Sequence, residues 1–567
     1  MSIQPDSFVH LRDSAGELLL AWARLLAPHY GATGSMDLDL RDWPDAAGPS
    51  FYNQFTPAAL LLLADKVVPG ATDEECARFR HLALRNLEYS AGLADADFHT
   101  PHFSRGRDWG AHIGEWLVYY QLCALRHLDT HGGATPELKQ KLSQVVRGAT
   151  GRAFRAYQQR FAGPATEFPG NHAVWHGLLF AAAGRYFDEQ DWVQFADVFM
   201  QRHVLPFQDE SGCWQEGGGV VVGYSLITAL AVSLYAQLTG NEAAERAVDR
   251  AAAFHDFFLL PDGSTSTVAD VRMRWHQRPF VSLPPGFASS QVGRVLATCA
   301  VARFRTALNE ESVRDNHAQA FAFFGSACAV WFSADEGLPG RDSVRITSGS
   351  VARFDSEPWR AYLSWQLTPE WDANRFVLDA QNFIELWHRR GGYLAGTGNS
   401  KAMPRFSTLR RIDCGRAYVP DAAERDGDPA GLGAHYRFDQ DVITVRLQND
   451  QAELVLSVHA VAVPSGATYE FGLMLALRPG DDVCADGLNY TVEPTQLLAL
   501  RTSFVWRGLT WRLPVGARLE YPMVPHNPYT QDGLPQPREY VARLSWPVLP
   551  GRSELRIQPV SSSSATP

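Results

Sequence analysis

Asparagine and histidine stand side by side at Asn171–His172, in the segment FPGNHAVWHGLLFAAAGRYF. Pro169 and Gly170 break the chain just before them, and helical periodicity follows, which places the pair in the first turn of a helix. Free backbone N–H groups and the helix dipole favour an anion there. Asn also serves as a plain helix cap, but the adjoining His172, with Trp175 and His176 close behind, makes the segment a candidate site. A second cluster, DESGCWQEGGGVVVGYSLITAL, sets Trp214, Gln215 and Glu216 before three glycines, and Tyr224 opens the next helix. The glycines either let backbone approach a ligand or make a tight turn. Tyr224 suits a proton donor or a core aromatic. A third cluster, FHTPHFSRGRDWGAHIGEW, gathers His102, Arg105, Arg107, Trp109 and His112. Arg grips carboxylates bidentately, so this is either a floor for an anionic ligand or a polar loop before a helix. Arg272, Arg274, His276 and Arg278 are a basic rim or a solvated strand on the same reasoning.

Two kinds of element must position these residues. Up to about residue 325, the chain reads as helix after helix with Gly or Pro at the ends: Glu17–Leu26, Pro57–Val67, Asp73–Gly92, Ile113–His127, Pro136–Arg160, Ala173–Phe187, Asp191–His203, Tyr224–Leu238, Glu242–Phe258 and Gln291–Ala307. So long a run of antiparallel helices predicts pairs wound into an incomplete (α/α) toroid. Beyond it, Arg345–Phe354, Arg360–Leu367, His435–Leu447, Glu453–Val463, Tyr469–Leu477, Thr502–Leu513 and Tyr540–Leu549 alternate apolar and polar residues, which predicts a large antiparallel β-sandwich. The expected division is a helical domain at 1–328, a β-sandwich at 329–560 and a low-complexity tail at 561–567.

Composition narrows the partners. The 567 residues exceed one ordinary core and carry a net charge of −11, with no basic stripe for nucleic acid. Sixteen Trp suit large cores as well as sugar-stacking surfaces. Seven scattered Cys without a CxxC pair predict reduced thiols and no disulfide framework. No segment approaches 18 uninterrupted apolar residues, so no membrane span is expected. The first thirty residues lack a basic leader and a cleavage site, which predicts a cytoplasmic protein over a secreted or periplasmic one. No cofactor is expected. A structural divalent metal is left open: no HxxxH, HExxH or Cys-cluster spacing is read as a metal site, and His435 and His459 with scattered Asp could meet only through the fold.

Taken together, the Asn-His pair, Tyr224 lying 52 residues past His172, and the helix-then-strand order resemble the heparinase II/III-like and oligoalginate lyase superfamily. Those lyases place an Asn-His pair at the head of one toroid helix and a catalytic tyrosine downstream. The resemblance implies a second histidine reaching the cleft from the β-domain, for which His388 is the candidate, with Arg389 or Arg390 beside it. It also gives meaning to Gly396–Lys401 (GTGNSK), a glycine-rich segment that puts Asn399 and Lys401 among the substrate contacts. The segment equally suits a hairpin turn, and it lacks phosphate-loop spacing.

The activity implied is β-elimination on a uronate-containing oligosaccharide or polysaccharide. Asn171 and the helix N-terminus would neutralise the uronate carboxylate. Tyr224 would protonate the leaving O4, and His172, His388 or Tyr224 itself would take the C5 proton. Two rivals remain at this stage. A toroidal glycoside hydrolase would need paired carboxylates, for which Asp108, Glu115, Asp209 and Glu216 are available. A non-catalytic glycan-binding protein would need none. The particular glycan, endo or exo action, and the oligomeric state are not written in the sequence.

Overall fold

The computed structural model describes residues 7–36, 54–100, 103–104, 107–108, 114–272, 282–308, 315–334, 340–341, 349–367, 381–396, 398, 405–427, 432–450, 452–461, 467–485, 488–492, 496–499, 502–528, 530 and 532–560. Its helical part precedes its sheets, as the sequence predicts.

Eleven α-helices lie among the described residues: α1 (Phe8–Leu26), α2 (Pro57–Ala64), α3 (Asp73–Gly92), α4 (Glu115–His131), α5 (Pro136–Arg160), α6 (Asn171–Phe187), α7 (Gln190–Phe199), α8 (Val222–Thr239), α9 (Glu242–Phe258), α10 (Gln291–Leu308) and α11 (Asp315–Ser333). Successive helices pair as α2–α3, α4–α5 and α6–α7, and alternate members touch as α11–α2, α2–α4 and α4–α6. The row continues to α8, where Trp175 Nε1 on α6 donates to the Ile227 carbonyl at 3.3 Å. This is the inner and outer alternation of an (α/α) toroid. Composition sorts the layers: α6 buries 13 of its 17 residues, whereas α5 buries 6 of 25 and turns a charged face outward. Among the described residues α8 alone is long and apolar enough to cross a bilayer, and 72% of that stretch is buried. It fits the same pattern of an inner helix, apolar all round because protein surrounds it.

The chain divides into two compact units that interleave along the sequence. The first comprises Met1–Glu216, Gly223–Asp256 and Pro279–Ile346; the second comprises Gly217–Val222, Phe257–Arg278 and Thr347–Pro567. The second unit holds a nine-stranded and a ten-stranded sheet, counted over the described residues, with antiparallel neighbours throughout. Strand Asp441–Asp450 shows the half-buried alternation the sequence carries. The sheets pack face to face: Phe383 stacks on Tyr436 at 4.8 Å, and the Tyr436 hydroxyl donates to the Ser364 carbonyl at 2.6 Å. Segment 257–278 is built into this unit. Arg360 and Tyr362 donate to the Leu259 and Phe257 carbonyls at 2.6 and 2.8 Å, and the fully buried Glu385 accepts from Ser266 Oγ and Thr267 N at 2.8 and 3.1 Å.

Candidate functional site

Gly170 caps α6 with φ 88°, a left-handed conformation that suits Gly and turns the chain sharply into the helix. Asn171 is thus the first helical residue, as expected. The anion at this helix end, however, comes from the chain itself. The Glu216 carboxylate accepts from Asn171 N at 3.0 Å and from Asn171 Nδ2 at 3.0 and 2.8 Å. Asn171 is only 2% exposed, so its amide is engaged with Glu216 and is not open to a substrate carboxylate. The role expected for Asn171 passes to the slot that Glu216 fills.

His172 differs. Its side chain is about one-third exposed, while its Nδ1 lies 2.7 Å from Oε1 of Glu115, a wholly buried carboxylate in the first turn of α4. Nδ1 must carry the proton to donate to that carboxylate, which leaves Nε2 as the basic nitrogen. Trp116 packs against the ring with centroids 4.8 Å apart. Behind it, His176 is buried, with Nδ1 2.9 Å from the Tyr157 hydroxyl and 3.8 Å from Glu115 Oε2. His176 therefore supports the Glu115–His172 pair from within and is not a substrate contact.

Tyr224, half-buried, is the third residue of α8. The Trp175–Ile227 hydrogen bond sets the register between α6 and α8. His172 and Tyr224 each lie three residues before their bonded partner, in the first turns of α6 and α8. Glu115, Asn171, His172 and Tyr224 thus occupy the first turns of three neighbouring inner helices.

Other expectations are corrected. Trp175 and Trp214 are fully buried, and each indole N–H donates to a backbone carbonyl, Ile227 at 3.3 Å and Val204 at 3.0 Å. They are core residues with no face left for a sugar. Gln215 is exposed and donates to Asp209. Gly217 and Gly218, at φ 65° and 92°, take the left-handed conformation that suits Gly. In the second unit His388 is 2% exposed; it packs against Trp359 with the rings tilted, and its Nδ1 accepts from Arg390 N and Gly391 N at 3.1 and 3.2 Å. It closes a hairpin turn, and burial beside Arg390 pushes its pKa down to about 4. Arg389 pairs with Glu357 at 2.5 Å on the surface. His102, Arg105, Trp109, Asn399 and Lys401 lie outside the described residues. Arg107 belongs to a two-residue hairpin strand, Arg107–Asp108, whose side chains also lie outside them.

Sequence reasoning missed two features. It weighed Glu115 only as a hydrolase carboxylate, because its partner is 57 positions away. It also passed over two His-x3-His spacings, His172/His176 and His127/His131. Among the described residues, the one group of three possible metal ligands is Asp65, His127 and His131; His435 and His459 form no such group.

No family model and no curated protein matches the chain. Solved structures with some likeness include a chondroitin AC lyase variant from Streptomyces coelicolor A3, at 12% identity over 99% of this chain and 83% of that one, with a TM-score of 0.48. They also include an unsaturated glucuronyl hydrolase specific for heparin, at 11% identity over 58% of this chain and 100% of that one, TM-score 0.37. An α-1,6-mannanase from Salegentibacter sp. HEL1_6 follows at 11% identity over 56% and 99%, TM-score 0.32. Function does not travel with so distant a likeness.

Proposed function

We propose that the chain is a glycan-active enzyme, and specifically a lyase that cleaves a uronate-containing glycan by β-elimination at the heads of α6 and α8. The observation that carries this reading is the His172–Glu115 pair. A partly exposed imidazole, held through Nδ1 by a buried carboxylate, presents Nε2 as an oriented general base. In this reading Nε2 removes the C5 proton, the C4=C5 double bond forms as the C4–O4 bond breaks, and the Tyr224 hydroxyl delivers its proton to O4. The C5 proton becomes acidic only if the adjoining carboxylate is neutralised. The α6 N-terminus is suited to that task, since it already holds one carboxylate, that of Glu216. A uronate carboxylate is the same chemical group and would displace it, its charge then stabilised as the enolate-like transition state develops.

The hydrolase reading is weaker because it needs two carboxylates across the bond. Glu115 is buried, and Asp209 is committed to a turn through Ser211 and Cys213. Of the four carboxylates named for it, Asp209 and Glu216 are half-buried, and Glu216 is held by Asn171.

The test is a panel of uronate glycans, including alginate, glucuronan and heparan-type chains, followed in the ultraviolet for the unsaturated product. The wild-type chain is expected to generate the chromophore on at least one of them, and His172→Ala to lower the rate by about 10²–10⁴-fold. New reducing ends without a chromophore would establish hydrolysis instead, and binding without turnover a lectin-like protein.

A further inference from the structure

The inner helices have a second end, and it is chemically distinct from the first. Their C-terminal turns surround a cavity of about 820 Å³ whose lining includes Leu62 of α2, His127 and His131 of α4, Tyr186 of α6, Leu238 of α8 and Ser333 of α11. Along α4 this lies roughly 20 Å from Glu115, at 1.5 Å per residue.

At its edge, His127 and His131 occupy positions i and i+4 in the last turns of α4, and Asp65 is the C-cap of α2. One donor atom from each residue lies within 4.8 Å of the other two. His127 Nε2 is 2.7 Å from Asp65 Oδ2, and the two imidazoles stack with centroids 4.3 Å apart. The Arg80 guanidinium donates to the other carboxylate oxygen, Oδ1, and so turns Oδ2 toward the imidazoles. His131 is exposed and makes no hydrogen bond among the described residues, so its ring is free to rotate into a ligating position.

We infer that Asp65, His127 and His131 bind one divalent transition-metal ion, of which zinc is the best match, with a fourth position open toward the cavity. Two imidazoles and one carboxylate are the donor set of zinc sites that keep an open coordination position, and an i, i+4 histidine pair supplies two nitrogens from one rigid helix turn. Arg80 is the outer-shell partner that such a carboxylate commonly has. The negative ends of two helices, α2 and α4, meet at this point and favour a cation. The Arg80 charge opposes the ion in part. The site stands or falls independently of the reading at the heads of α6 and α8.

The experiment strips the full-length protein with a chelator, titrates it with Zn²⁺ and separately with Co²⁺, and measures retained metal after gel filtration. The wild-type chain is expected to retain one ion, to melt at higher temperature with zinc than without, and to show the visible bands of four-coordinate cobalt. His131→Ala alters an exposed residue and should melt like the wild type without metal. It should bind zinc more weakly by more than the roughly 10–100-fold that loss of an outer-shell partner costs. Asp65→Asn should weaken binding as well. A wild-type chain that retains neither ion would overturn the site, and so would unchanged affinity in His131→Ala.

Discussion

His172 and Tyr224 divide the proposed chemistry between them, and each is tested by a change that spares the fold. Tyr224→Phe keeps the ring and removes only the hydroxyl, so little cavity forms. Turnover should fall by about 10²-fold or more, with substrate affinity and melting temperature near those of wild type, because the lost proton transfer acts in the transition state. Near-normal turnover of Tyr224→Phe would return it to the role of a packing aromatic. His388 invites a different test. Its pKa falls from the ordinary 6.5 to about 4, so as pH drops the unfolded chain takes up the proton first. Stability contributed by the neutral ring is full above 6.5 and lost between 6.5 and 4. In His388→Asn, which retains an acceptor for the turn amides, thermal melts across that window should lose a pH-dependent component of about 1–3 kcal/mol. The side chains of the candidate site were legible one at a time: Asn171, His172 and Tyr224 announce themselves by type and by position after a break. Their partners did not, since Glu115 and Glu216 lie 57 and 45 residues from the groups they bind. Nor did burial. Trp175 and Trp214 have the same side chain as a sugar platform, and only packing shows that both faces are covered.

At the scale of elements, the head of α6 is a helix end whose cap comes from a distant segment. Glu216 meets a backbone N–H and a side-chain amide there. Glu216→Ala should therefore cost about 1 kcal/mol of stability through the lost cap. If the slot also receives the substrate carboxylate, the same change should lower KM, since the internal competitor is gone. A lower melting temperature with unchanged KM would leave Glu216 a cap alone. Helix ends were the easiest elements to read. Asp73–Gly92, Pro136–Arg160 and Glu242–Phe258 have the predicted bounds, because Thr72 and Thr135 cap the first two and Gly or Pro residues punctuate the chain nearby. Hairpins were harder. The stretch 435–447 reads as one strand but turns between Leu432–Phe438 and Asp441–Asp450, and 502–513 turns between Ser503–Trp506 and Leu509–Arg512. Alternation of period two continues across a two-residue turn without a break in register. The turn residues are Asp439, at φ 53°, with Gln440, and Arg507 with Gly508, at φ 50° and 70°. Neither pair is the Asn-Gly or Asp-Gly signal that marks such turns.

For the molecule as a whole, the interleaving of the two units is the property least visible in sequence, where the change of pattern near residue 330 suggests a single cut. The second unit depends on Phe257–Arg278, whose Ser266 and Thr267 both donate to Oε2 of the buried Glu385. A fragment of residues 347–567 would bury that carboxylate without those donors, at a cost of several kcal/mol. It is expected to lack a cooperative melt, whereas a fragment beginning at 257 should recover strand signal by circular dichroism. A cooperative transition in the shorter fragment would show that Glu385 finds other partners.

The same threading puts the molecule's assembly on a clock. A ribosome emits Phe257–Arg278 well before the strands that this segment joins, and Val541–Val548 and Gly551–Pro559 come last of all. At about 5–20 residues per second, that delay is on the order of tens of seconds. During it, the toroid's own helices can pair while the segment of the second unit waits, open to proteases and chaperones. Nascent chains stalled before the final strands should therefore be cleaved within 257–278 far faster than the finished protein, which makes this segment the place where quality control would first act.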